Sequence, residues 1–356
     1  MAGFAALAWP GLAARAATPR PQTRFATAWD LGLNHHTGIL DLSGPRVEVA
    51  YQLTTPTRSH GSCLEPGGTL LTVARRPGDW LVRWHPDGRP PQWQWIEPAR
   101  AFNGHVLCNP DGSRLYTTET DIETGAGLIG VRDGRTLRKL DEWASGGMDP
   151  HELLWVPGQE GQQLMVANGG IPTLPETGRL KVQLERMDSS LARLNARQGD
   201  ITGQWRLPDR RLSLRHIAWH PEHAGTLGIA LQAEHEHTEA RQRAPLLAIW
   251  QSTQGLQLAN NPALQGYGGD IAPIPGGFAV SAPKANGVAM WHWHNTSTEP
   301  PDWQALRQDE QACALSLTPD GLWIAAAQQA DLYAAAGTQT RPVPTDLRID
   351  NHWIAV

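Results

Sequence analysis

Apolar and polar positions in this chain fall into short runs, each closed by glycine, proline, asparagine or aspartate. Runs of about 4–8 apolar or β-branched residues bounded in this way mark strands joined by tight turns. His60 to Leu64, Thr69 to Ala74, Trp80 to Trp84 and Gln92 to Ile96 make one set of four, divided by turns at Pro66-Gly67-Gly68 and Pro86-Asp87-Gly88. The same order recurs from Asn103, with a turn at Pro110-Asp111-Gly112, and again from Asp149 (DPHELLWVPGQEGQQLMVANGG). That third unit carries a long insertion, Gly169 to Met187, between its second and third strands. Further units open at Leu214 (LRHIAWHPEH), Gly268 (GGDIAPIPGG) and Gln311 (QACALSLTPDG).

Aligned on their turns, the units place a polar residue, usually histidine, at the start of the first strand. These are His60, His105, His151, His216 and Asp270, then Gln311 to Cys313. The steps of 45, 46, 65 and 54 residues fit the period of about 40–45 residues for a four-stranded propeller blade, and the inserted loop accounts for the longest. Six units leave three strands at the N-terminus (Arg24 to Asp30, Gly38 to Leu42, Val47 to Leu53) and one at the C-terminus (Asn351 to Val356). Joined, these complete a blade and remove exposed sheet edges. The expected fold is therefore all-β, a seven-bladed β-propeller forming one domain over residues 24–356, with its last blade closed by N- and C-terminal strands. His352 then takes the same strand-opening position as the other histidines. An eight-bladed ring or a pair of sandwiches would compete; the even period disfavours sandwiches and the end remnants favour seven blades.

Composition supports many turns and few helices: 36 Gly, 28 Pro and 16 Trp in 356 residues. A net charge of −5 with 18% charged residues shows no basic excess, which argues against nucleic acid and against a polybasic membrane contact. No run is apolar for the 18 or so residues that a transmembrane helix needs. Residues 1–20 differ in kind. Gly3 to Leu12 resembles the apolar middle of a secretory signal and Ala14-Arg15-Ala16 its cleavage site, although the preceding basic segment is missing. They are expected to be the remnant of an export signal, of the twin-arginine type, and the protein periplasmic; an ordinary N-terminal tail is the alternative. Cys63, Cys108 and Cys313 are odd in number and lack C-x-x-C spacing, so buried thiols are expected. A Cys63–Cys108 bridge would need Cα atoms within about 7 Å.

The stretches ARRPG (Ala74 to Gly78), NPDGSRLYTTETD (Asn109 to Asp121), PHELLW with ANGGI, LSLRHIA (Leu212 to Ala218), GYGGDIA (Gly266 to Ala272) and DNHW (Asp350 to Trp353) resemble, in order, a bacterial family known as domain of unknown function 1513. The resemblance runs from about residue 25 to the end. It implies a seven-bladed, WD-repeat-like propeller exported to the periplasm, with genes beside imelysin-like iron-uptake proteins and di-haem peroxidase-like proteins. It implies no established activity. The EHEHTEARQR run before Ala244 and the SAPKANG segment depart from the family pattern and leave the chemistry of the fourth and fifth blades open.

In a propeller the start of each innermost strand and the loop between second and third strands share one face. His60, His105, His151, His216, Asp270 and His352 are therefore candidate metal ligands, since imidazole clusters suit iron, copper, nickel or zinc. Hydrogen bonds that lock blades together, or acid–base catalysis, would use the same residues. A ring of seven is wide, so neighbours in it are expected to share an ion more readily than opposites. Candidate ligand-binding residues on the same face are Arg75, Arg76 and Arg215 for an anion, Glu119 and Asp121 for a hard cation, Glu152 as a base or as an orienting group for an imidazole, and Asn168. His235 and His237 form a metal-prone tract; Trp291-His292-Trp293-His294 and His85 fall on the opposite face. No Walker, Rossmann, G-x-S-x-G or H-E-x-x-H signature is present. Three functions compete. The first is a binding module for a transition metal, iron or copper, or a metal-linked ligand in iron acquisition. The others are a lactonase-like metal-dependent hydrolase and a scaffold docking an imelysin-like or haem partner. A monomer is expected.

Overall fold

The computed structural model describes residues 23–172, 181, 183–259, 264–293, 302–308, 310–335 and 337–356. The leader, residues 173–180 and 182 of the blade-three insertion, and His294 lie outside the described residues. Seven four-stranded antiparallel sheets form a closed ring. Blade 1 is built from Ser59–Leu64, Leu70–Ala74, Trp80–Trp84 and Gln92–Trp95, from the axis outward. The innermost strands of blades 2 to 6 are Arg100–Cys108, Pro150–Trp155, Leu212–Trp219, Ile271–Ile274 and Leu315–Thr318. Blade 7 closes the ring as expected. The C-terminal strand Leu347–Ala355 is innermost, followed by Arg24–Leu31, Asn34–Asp41 and Glu48–Thr55.

Apolar cores sit between adjacent sheets. At the closure, Phe25 from the N-terminal strand stacks on Trp353 from the C-terminal one with ring centroids 4.4 Å apart, and Trp323 of blade 6 meets Phe25 edge-on at 5.8 Å. Trp29, Trp80, Trp84 and Trp323 are fully buried. Large rigid rings fill the wedge between twisted blades where small aliphatic side chains would leave voids. The charged run expected as a loop in blade 4 contains a short, exposed α-helix, Thr238–Arg243. Among the described residues no helix is long and apolar enough to cross a membrane.

Candidate functional site

Each histidine of the strand-opening series lies in a break of the innermost ladder. In blade 1 the register between the first two strands shifts between Ser59 and Ser62, around His60-Gly61. In blades 2, 3 and 4 it shifts around Asn103-Gly104-His105, His151-Glu152 and Arg215-His216. Blade 7 shifts around Asp350-Asn351-His352. In blades 5 and 6 the two-against-one pairing falls just before the inner strand, with Gly269 and Asp270 opposite Ser281 and Cys313 and Ala314 opposite Ala325, and no histidine sits there. A bulge inserts an extra residue and re-aims a side chain. Here five bulges turn five imidazoles toward the axis.

The result is one cluster. Ring nitrogens of His60, His151, His216 and His352 lie within 4.8 Å of one another. His151 Nε2 and His216 Nε2 are 3.1 Å apart, near the ~3.3 Å that separates two ligands of a tetrahedral ion bound at about 2.0–2.1 Å. His105 packs against the group, its ring centroid 4.7 Å from that of His151 and 5.0 Å from that of His60. Two glycines make this crowding possible. A Cβ on Gly61 would stand 2.6 Å from the Gly104 carbonyl oxygen, and one on Gly104, whose φ is +103°, would stand 2.8 Å from His60 Cδ2.

Carboxylates back the rings. Asp270 Oδ1 is 3.4 Å from His352 Nδ1, and Glu152 Oε2 is 3.5 Å from His216 Nδ1. Glu152 Oε1 and Asp350 Oδ1 stand 3.9 Å from Nδ1 of His105 and His60. Backbone N–H groups fix these carboxylates: Ile217 donates to Glu152, Asn351 to Asp350, and Ile271 and Leu315 to Asp270. Asp270 thereby holds His352 in the tautomer that leaves Nε2 free for an ion, whereas Nδ1 of His60 and of His216 has no hydrogen-bond partner among the described residues. Burial, with neighbouring histidines and Arg75 or Arg215 adding to it, holds the pKa values of His60, His151 and His216 well below the ordinary imidazole value. Burial does the same for His105 against the opposing pull of Glu152. Burial also opposes a proton on His352, but Asp270 outweighs it and raises that pKa.

Many of these ring nitrogens have no partner. Among the described residues both nitrogens of His60 are unpaired, as are His105 Nε2, His151 Nδ1, His216 Nδ1 and His352 Nε2, while His151 Nε2 and His216 Nε2 face each other at hydrogen-bond distance. A buried polar atom left unsatisfied costs about 1–3 kcal/mol. Blade-locking histidines would have spent these nitrogens on strand carbonyls.

The cluster divides the channel. On the strand-opening side is a cavity of about 200 Å³ walled by Arg75, Arg76, Lys181, Arg215, Gln232 and Tyr267, with His60, His151 and His216 also facing it. Further along the strands is a second cavity of about 150 Å³, lined by Glu152, Asp270, His105, His352 and the residues that follow the bulges. Asp149 bridges Arg76 and Arg215, with Arg215 Nη1 at 2.8 Å from its Oδ2. Gly169 leaves room for that bridge, since a Cβ there would stand 2.7 Å from both Arg215 Nη1 and Asp149 Oδ2. Arg75 reaches Asp350 at 3.4 Å, and Lys181 pairs with Glu234.

Other expected site residues are engaged elsewhere. Glu119 is not on a loop at the channel mouth. It is fully buried in the strand Arg114–Asp121, bonded to Arg132 Nη2 at 2.8 Å and Lys139 Nζ at 2.6 Å. Asp121 caps its own turn through the N–H groups of Glu123 and Thr124 and pairs with Arg100. Asn168 spends its side chain on Ser145 and Ser190. His235 pairs with Asp209, 2.9 Å away. Asp270 stands behind His352 and is outside the converging four. The four come from two pairs of neighbouring blades, 7 with 1 and 3 with 4, and the neighbours His151 and His216 bring their Nε2 atoms to 3.1 Å; the bulges carry the two pairs to the axis, where they meet. Asp149, Asp350, Lys181 and Tyr267 were missed. The first two have a signal in the sequence, an aspartate two residues before histidine in both Asp149-Pro150-His151 and Asp350-Asn351-His352.

The sequence profile described as "Protein of unknown function (DUF1513)" matches residues 53–356. The chain belongs to the DUF1513 family. No curated protein matches it. Among solved structures it is similar to one titled Kuenenia stuttgartiensis hydrazine synthase (TM-score 0.58, 13% identity, 94% of this chain and 99% of that one). A chain of a mitotic checkpoint complex gives a TM-score of 0.56 at 13% identity, covering 95% of this chain and 100% of that one. A streptogramin B lyase structure gives 0.55 at 12%, covering 92% and 90%. At such identities the likeness is one of fold, and function must be argued from the site.

Proposed function

We propose that this DUF1513 protein is a periplasmic binding protein that holds a transition-metal ion among His60, His151, His216 and His352, with His105 beside them. One observation carries the reading: four imidazoles converge at the axis, three of them buried with pKa values held well below the ordinary value, and each has a ring nitrogen without a hydrogen-bond partner among the described residues. All-imidazole donors suit copper, iron, nickel or zinc, and Asp270 behind His352 Nδ1 raises the basicity of that ligand. The hydrolase alternative called for mixed carboxylate and imidazole ligands; the converging donors here are all imidazole, which favours binding over hydrolysis. Iron as the cargo, the periplasmic setting and an imelysin-like or di-haem partner belong to the proposal through the family resemblance alone.

Metal analysis of protein purified without a histidine tag, together with thermal melts in copper, iron, nickel and zinc, tests it. About one ion per chain and a raised melting temperature for one of these metals are expected. No bound metal and no shift with any of them would overturn the reading.

A further inference from the structure

The cavity on the strand-opening side has features that holding a bare ion does not require. Arg75, Arg76, Lys181 and Arg215 converge on it, against the three carboxylates that pair with them, Asp149, Asp350 and Glu234. Asp149 holds two guanidinium groups through one oxygen each, so it orients them without using up their N–H groups. A guanidinium carries five donors. Arg215 is only 7% exposed, yet its Nε has no partner. Tyr267, Gln232, Asn103 and Asn351 add uncharged polar groups to the wall. On the other side of the imidazoles the wall carries the carboxylates Glu152 and Asp270 and no guanidinium. The channel is therefore polarised, cationic on the strand-opening side of the cluster and acidic beyond it.

We propose that this chamber is a subsite for a small anion, a carboxylate or tetrahedral oxyanion, which fills a free position on the metal with one oxygen and takes N–H groups of Arg75, Arg76 and Arg215 with the others. This rests on the metal reading and names what the metal binds. Planar guanidinium groups match two-oxygen anions in geometry, and a metal among neutral imidazoles adds positive charge to a wall already in cationic excess. Size narrows the class: about 200 Å³ lies below the roughly 300–1,000 Å³ of sites for drug-sized ligands. The chamber takes a phosphate or a short dicarboxylate and excludes a haem or a bulky organic chelate.

The test uses the full chain loaded with cobalt(II), with inorganic phosphate and malonate as separate probes, followed by calorimetry and the visible cobalt spectrum. Cobalt uptake is read first in anion-free buffer. Saturable binding of at least one probe with a change in the cobalt bands is expected, weakened about tenfold or more in Arg76→Gln. Arg75→Gln supplies a second reading if Arg76→Gln folds poorly, because Asp350 keeps Arg58 as a partner. Affinities within about twofold of wild type in both variants, or cobalt bands that ignore both probes, would overturn the subsite while leaving the metal site standing. Wild-type protein that takes up no cobalt, yet binds phosphate through Arg75 and Arg76, would overturn the metal reading and with it the metal-linked half of this inference.

Discussion

Replacing His60 by leucine separates a ligand site from a structural lock. Both His60 nitrogens are buried without partners, and the nearest carboxylate oxygen, on Asp350, is 3.9 Å away. In metal-free protein the imidazole therefore carries a penalty of about 1–3 kcal/mol for unsatisfied polar atoms, and leucine removes it at similar volume. Against this stand the edge contacts with His105 and His352, with centroids at 5.0 and 4.7 Å, worth about 0.5–1.5 kcal/mol per aromatic pair. The net effect on metal-free protein therefore lies between about 2 kcal/mol destabilising and about 2 kcal/mol stabilising, centred near neutral. Unfolding entropy near 2.1 cal/mol/K per residue gives about 0.7 kcal/mol/K for roughly 330 residues, so each kcal/mol moves Tm by about 1.4 °C. The expected change without metal then lies within about 3 °C of wild type in either direction. With metal at 100 times Kd, wild type gains about 2.7 kcal/mol, or about 4 °C, and His60→Leu loses most of that gain. The assay is calorimetry after chelator treatment and again after metal addition. A metal-free variant melting more than about 3 °C below wild type would refute the reasoning and assign His60 to the architecture.

Glu119→Ala is expected to cost about 1.5–3 kcal/mol in chemical denaturation, because Arg132 and Lys139 lose a fully buried charged partner while both keep Glu97; metal uptake per folded molecule should not change. The metal-free protein should lose stability as pH falls below the unfolded imidazole value near 6.5. His60, His105, His151 and His216 are depressed in the fold, so each contributes fully above that value and loses up to about 1.4 kcal/mol per pH unit below it. His352 is raised and opposes this in part, contributing below pH 6.5 and less as pH climbs through its folded value; denaturation midpoints that stay flat between pH 7 and 5 would contradict the balance. Cys63 and Cys108 occupy matching positions on the inner strands of blades 1 and 2, with sulfurs 3.6 Å apart. Diamide should therefore join them within one chain, read as loss of two free thiols by mass spectrometry and a stability gain of about 2–4 kcal/mol.

Strand alternation and turn chemistry are local properties, so the blades, their count and the shared last blade were legible in the sequence. The strand Trp80–Trp84 and the joining of Arg24–Leu31 to Leu347–Ala355 follow directly from them. The histidine series was legible for the same reason, as a repeat register. Whether those histidines meet depends on pairing between strands. One or two extra residues in each of five inner strands, with glycine at positions 61 and 104, bring imidazoles from blades 1, 3, 4 and 7 together, and no run of sequence states a partner's register. Glu119 illustrates the converse. Its loop-like neighbours suggested an exposed ligand, but its strand position places it against Arg132 and Lys139 from the adjoining strands. The sequence alone determined the ring and the residues on its open face. Tertiary structure decided which of them converge, which face the cationic chamber, and which are held in buried ion pairs, because convergence depends on backbone register across chain separations that local patterns do not encode.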